Sequence, residues 1–324
     1  MNQPPTDGVR LDAEALRQLV ADIFQAVSVP REQARLIAGL MVETDLRGVV
    51  SHGVLQMERY VGDFRAGRVN PKPAIQVLRE GPGSLALNGD GGLGIVVATQ
   101  AMETVLDKAA ELGTAAATTT YHGHIGSAGK YVGMALRRNM LGIAFSGRNA
   151  ASKYKSENTV LGSIQGSPPM AMGAPAGPGQ PDFMLDMATG MPGGIDFEQA
   201  PALFFRGLGL AHAANIFSGT LGGQMLDQFE RASIQYERAD QSGFFAAFAI
   251  DHFVPVDAFK ADMDHLMAEV AGMQPLPGQE YADLPGGPEW RRQRQYEAEG
   301  VPITGEAQRV LGELAAEFGL GVPW

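Results

Sequence analysis

The chain has 324 residues, in which 25 Lys+Arg stand against 36 Asp+Glu for a net charge of −11; 45% of residues are hydrophobic, 19% are charged and none is cysteine. That supplies apolar material for one large core or two modest ones, which excludes intrinsic disorder, and it excludes disulfides, thiolate zinc sites and cysteine nucleophiles. The acidic balance excludes a nucleic-acid partner held by phosphate neutralisation, and the lack of a signal-peptide pattern or bilayer-spanning apolar run predicts a soluble cytoplasmic protein with no membrane partner.

Residues 1–10 read as a disordered lead. Asp12 then caps a helix that sets Leu16, Leu19, Val20, Ile23, Phe24 and Val27 on one face. A second helix follows Pro30, with Ile37, Leu40 and Met41 inward. A third is expected from near Ser51 to about Ala66, burying Val54, Leu55, Val61 and Phe64 until the Pro-rich RVNPKP stops it. From Ala74 onward, short apolar runs between glycines (AIQVLRE, SLALN, TAAATTT, LGIAFSG, FMLDMA) read as strands. Helical patterns separate them at about 94–112, 127–138 and 207–226, which is the alternation of an α/β layer. Residues 152–201 read as loops around a strand, GFFAAFAIDHF as another strand and VDAFKADMDHLMAEVAG as a helix. LPGQEYADLPGGPEWRRQRQYEAEG is a Pro/Gly-rich charged segment, and a final helix is expected from about Gly305 to Phe318.

Glycine is the unusual component: 42 of 324 residues, nearly twice the ordinary share of about 7%. Gly89-Asp90-Gly91-Gly92-Leu93-Gly94 fits G-x-G-x-x-G between a strand and a helix, the setting of a dinucleotide fingerprint. Such a fingerprint needs an acid at the end of the next strand, about 20 residues on. The next strand, TAAATTTYH, has none, so the run reads as a glycine turn feeding a helix.

Three polar settings carry candidate chemistry. Arg47, Ser51 and His52 stand together ahead of a helix. Ser51 as an N-cap and Arg47 as a last-turn cation account for them structurally; a His52 kept neutral by a helix N-terminus, ready to exchange a proton with a substrate, accounts for them functionally. His122-x-His124 closes a strand; it reads as polar loop residues, or as an anion site at the following helix, rather than as a metal pair. Asp186 sits inside an apolar run and needs a partner there, either loop amides or a histidine that it orients. A hydrolytic triad is disfavoured: adjacent Ser51 and His52 would point about 100° apart on a helix, and the chain has no G-x-S-x-G.

The blocks TDLRGVVSHGVLQMERYV, HGHIGSAGKYVGMAL, GSPPMAMGAP, FMLDMATG, FRGLGLAHAANIFSGTLGG and LPGQE, in that order, resemble the malate/L-lactate dehydrogenase family of nicotinamide-dependent oxidoreductases, a group that includes ureidoglycolate and sulfolactate dehydrogenases and the piperideine/pyrroline-2-carboxylate reductases. The resemblance runs from about residue 11 to the end. It implies an α/β fold without a Rossmann domain, with a helical N-terminal region and a central mixed sheet flanked by helices. The expected regions are the lead at 1–10, a helical region at 11–73, a cofactor-binding domain at 74–255, and a helical region at 256–324 whose stretch 301–324 packs with 11–73.

The resemblance also implies a small carboxylate substrate, NAD or NADP as cofactor, no resident metal and a homodimer. Carried over by position, Ser51 and His52 are catalytic, Asp186 completes a proton relay, and His124 contacts the cofactor and takes part in proton transfer. Arg47 clamps the substrate carboxylate, a task suited to a bidentate guanidinium. Ile125, Gly126, Asp186, Met187, Ala188, Arg206 and Gly207 line the cofactor. The implied chemistry is hydride transfer at the α carbon of a small 2-oxo or 2-hydroxy acid, or of a cyclic 2-imino acid, with His52 handling the proton. The chain departs from the family pattern at Ser167-Pro168, at Gly190 and at Arg206, and it has only MPGGIDFEQAPALFF where the family carries several tens of residues beside the cofactor. The alternative is therefore a dimeric homologue that has lost nicotinamide binding and acts as a binding protein or without cofactor.

Overall fold

The computed structural model describes residues 5, 7–148, 160, 168–189, 197–224, 226 and 235–324. In chain order its elements are β1 (Val9–Leu11), α1 (Ala13–Ala26), α2 (Arg31–Leu46), α3 (Met57–Arg65), β2 (Gln76–Gly81), β3 (Ser84–Asn88), α4 (Gly94–Leu112), β4 (Thr114–His122), α5 (Gly129–Arg137) and β5 (Met140–Arg148). They continue as β6 (Pro169–Ala174), β7 (Phe183–Ala188), α6 (Pro201–Asn215), β8 (Gln241–Ala249), α7 (Val256–Ala271), α8 (Gly287–Glu299), β9 (Val301–Ile303) and α9 (Gly305–Phe318). The chain divides into two units: Met1–Pro73 with Ala176–Phe183 and Lys260–Trp324, and Ala74–Pro175 with Met184–Phe259.

The first unit is helical. Asp12 caps α1 by accepting the Ala15 N–H at 2.8 Å, and Leu16, Leu19, Val20, Ile23 and Phe24 are buried. α1 packs on α2 and α9, where Ile37, Met41, Val310, Leu311 and Leu314 are also buried, and Phe24 meets Phe64 of α3 edge-on. Each such side chain contributes about 1.5–3 kcal/mol by burial. Thr304 caps α9 through Ala307 N–H. β1 pairs antiparallel with β9, Val9 opposite Ile303. Val9 and Arg10, expected in a disordered lead, are thus strand residues: the pairing joins segments about 290 residues apart and leaves no trace in local pattern. Likewise α8 lies inside the segment read as Pro/Gly-rich and charged.

The second unit holds a seven-stranded sheet in the order β2-β3-β4-β8-β5-β6-β7. β3 and β4 run parallel; β2–β3, β4–β8, β8–β5 and β5–β6 are antiparallel. The sheet is therefore mixed and mostly antiparallel, with α4 and α5 packed on it through Met102, Val105, Leu106, Tyr131, Val132 and Leu136. Among the described residues, the stretch 152–201 supplies two strands where one was expected, because β6 (PMAMGA) has no polar residue to alternate with its apolar ones. α6 starts at Pro201 rather than near 207, and a π-helical turn follows it at Ile216–Thr220. Among the described residues no helix is long and apolar enough to cross a membrane.

Candidate functional site

In the helical unit, the candidate residues lie on the loop that leaves α2. Arg47 is the half-buried C-cap of α2. The chain turns at Gly48 (φ +74°) and passes through two short 3₁₀ turns, Val50–His52 and Val54–Gln56, before α3 begins at Met57. Ser51 therefore is not a helix N-cap and His52 is not in the first turn of α3, as the sequence pattern had suggested. The steric objection to a Ser51–His52 contact also falls. Within the 3₁₀ turn, Ser51 Oγ lies 2.9 Å from His52 Nδ1. Ser51 is exposed and His52 half-buried, so this pair faces outward.

Asp45, one residue before the end of α2, holds the loop closed from inside. It is 2% exposed. Its carbonyl accepts the Gly48 N–H and its Oδ2 accepts the Val54 N–H, both at 2.8 Å. Gly53 fits only as glycine, since a Cβ there would collide with the Asp45 carboxylate. Sequence reading passed over Asp45, although it continues the inward stripe Ile37–Met41 of α2, where an acid needs partners.

In the sheet unit, β4 ends at His122 and residues 123–128 lead into α5. His122 is fully buried: its Nδ1–H donates to the Gly123 carbonyl and its Nε2 accepts from the Thr119 hydroxyl, both at 2.8 Å. Burial lowers its pKa to about 4. With both nitrogens engaged it cannot ligate a metal, and the described residues contain no cluster of metal-binding side chains. His124 is half-buried on the loop, and Ile125 is wholly enclosed, its carbonyl accepting the Tyr131 hydroxyl at 2.6 Å. Gly126 (φ +74°) presses against the Lys130 ammonium, which is itself 2% exposed in α5. Asp186 of β7 is half-buried, and its Oδ2 accepts the Gly129 N–H at 2.9 Å at the start of α5. Met187 is half-buried and Ala188 exposed on the same strand; Arg206 is exposed and Gly207 half-exposed on α6. Ser167 and Gly190–Gly194 lie outside the described residues.

The glycine run 89–94 is a packing element. Four of its amides are bonded: Gly89 N–H on Thr120 O, Asp90 N–H on Asn88 Oδ1, Gly91 N–H on Tyr121 O and Gly92 N–H on Gly89 O. A Cβ on Gly91 would strike the Tyr236 ring, and one on Gly94 would strike the Gly123 carbonyl. Gly89 and Gly94 lie directly against residues 121–124, so this run braces the segment that carries His122 and His124.

The profile of the malate/L-lactate dehydrogenase family matches residues 11–200 and 191–311. The chain belongs to this family. The two matching stretches overlap at 191–200. L-sulfolactate dehydrogenase of Methanocaldococcus jannaschii is 28% identical over 96% of this chain and 98% of its own. Ureidoglycolate dehydrogenase (NAD(+)) of Escherichia coli O157:H7 is 25% identical over 94% and 95%. The solved malate dehydrogenase of Pyrococcus horikoshii superposes with a TM-score of 0.83, covering 99% of both chains at 27% identity. This member of the family is a dehydrogenase or reductase built on the family's mixed-sheet fold.

Proposed function

We propose that the protein is an NAD- or NADP-dependent oxidoreductase acting at the α carbon of a small 2-oxo or 2-hydroxy acid, or of a cyclic 2-imino acid, in the cytoplasm. The observation that carries the reading is the outward-facing Ser51–His52 pair, 2.9 Å apart, one turn from Arg47 on an anchored loop. The Ser51 hydroxyl donates to Nδ1, which leaves Nε2–H to serve the substrate oxygen or nitrogen. His52 then gives a proton during reduction and takes one during oxidation. Arg47 holds the substrate carboxylate in a two-pronged contact. Asp186 completes the relay, and His124 assists proton transfer.

A nicotinamide cofactor fits the residues between β4 and α5. The backbone there is bare at Gly126, the Lys130 ammonium lies beside it, and Arg206 adds an exposed cation on α6. These suit an anionic dinucleotide. His124, Ile125 and Gly126, with Asp186, Met187, Ala188, Arg206 and Gly207, would hold it; enclosed Ile125 acts by shaping the loop. When bound, the nicotinamide supplies or accepts the hydride.

L-malate, L-sulfolactate, L-lactate and ureidoglycolate are the first substrates to test, each with NAD and NADP, since relatives carry the names of three of them and the family that of the fourth. With the one oxidised fastest, His52→Ala should lower kcat by about 10²–10⁴-fold, the usual worth of a general acid–base group, and leave the Kd for the reduced cofactor unchanged. Unaltered turnover in His52→Ala would remove the proton role from this residue. The protein acts as a homodimer; the apolar side chains left exposed along α6 and the turn after it, among them Phe205, Leu210, Ile216 and Leu221, support a second copy as their cover.

A further inference from the structure

The loop from Arg47 to Gly53 carries every candidate substrate-facing group of the helical unit, and bonds to α2 hold both of its ends. The turn at Gly48 is closed by the Asp45 carbonyl, and Val49 N–H reaches back to the Thr44 carbonyl at 3.0 Å. At the far end, the Val54 N–H is received by the Asp45 carboxylate. One residue therefore grips both ends of the loop, through backbone at one end and side chain at the other. Its carboxylate lies against Gly53 so closely that no other residue fits there, which sets the position immediately after His52.

We infer that Asp45 is the positioning residue for the Ser51–His52 pair: it does not touch the substrate, and it sets the direction in which His52 presents its proton. This rests on the functional reading above. A misplacement of about 1 Å at a reacting group can cost a hundredfold in rate. The chemical requirement is an acceptor of carboxylate shape, so an amide of the same shape substitutes for it, while a methyl group does not.

The test compares Asp45→Ala, Asp45→Asn and Gly53→Ala with wild type, using the substrate from the panel above that wild type oxidises fastest. Asp45→Ala should lose at least tenfold in kcat and show a larger solvent deuterium isotope effect, because proton transfer becomes limiting. Its Kd for the reduced cofactor should stay unchanged. Asp45→Asn should remain within about threefold of wild type. Gly53→Ala displaces the same carboxylate from the other side, so it should reproduce Asp45→Ala, and it replaces that variant if Asp45→Ala does not fold. Hydrogen exchange, which needs no substrate, should show faster exchange confined to residues 48–56 in Asp45→Ala. Wild-type kinetics in Asp45→Ala would overturn the inference, as would a rate loss with an unchanged isotope effect, a loss that Asn does not rescue, or exchange raised equally throughout the unit. His52→Ala, run in parallel, separates the two levels. If it abolishes turnover while Asp45→Ala does not, only this inference fails; if it retains turnover, or wild type oxidises nothing in the panel, the functional reading fails first and this inference with it.

Discussion

His122 shows how far burial can commit one side chain. Both its nitrogens are used, on Thr119 and Gly123, and its pKa falls to about 4 because the ring has no water to solvate a charge. The unfolded chain takes up a proton near pH 6.5, so the stability this residue contributes is complete above that value and is lost as pH falls toward 4. The loss amounts to about 3 kcal/mol across that window. Urea unfolding at pH 7 and pH 4.5 should show it in wild type and not in His122→Asn; an equal pH dependence in both would contradict the assignment. At this scale the sequence displayed the candidate groups and hid what fixes them. Ser51 and His52 stand out by type, whereas their contact depends on a 3₁₀ turn that no residue in VVSHGV announces. Asp45 was hidden differently: its work is done by a bond to Val54, nine residues on, across a loop.

Among elements, the glycine run and the loop before α5 form one braced unit. Gly94 opens α4 against the Gly123 carbonyl and His122, so Gly94→Ala must push the His124 loop outward. The expected outcome is a lower Tm together with a weaker Kd for the reduced cofactor, while Gly39→Ala, which has open space around it, should change neither. A Gly94→Ala variant that binds cofactor as wild type does would show that the run is independent of the loop. Elements with strong apolar periodicity were legible almost to the residue: α1, α4, β3 and α9 occupy the segments their patterns mark. The missed ones lack such a signal. α8 buries only Gly287 and Tyr296, and β1 and β9 are three residues each, paired from opposite ends of the chain.

For the whole molecule, family membership and one large departure pull on the same question. The family's profile matches residues 11–200 and 191–311, and the resemblance places the proposed Ser51–His52 and Asp186 relay in a chain with only 19 residues between Asp186 and Arg206. Exposed apolar side chains on α6 and just after the turn that follows it, Phe205 at 73% and Leu221 at 64%, adjoin that segment in sequence. Size-exclusion chromatography with light scattering should give twice the chain mass. Charged substitutions at Phe205 and Leu221 should shift it to the monomer; a wild-type monomer would contradict the dimer. The central claim, that this shortened chain still binds and uses a nicotinamide cofactor, is tested most directly by titrating the protein with NADH and with NADPH and following nicotinamide fluorescence. The account predicts a saturable change with at least one of them; no saturable change with either would contradict it.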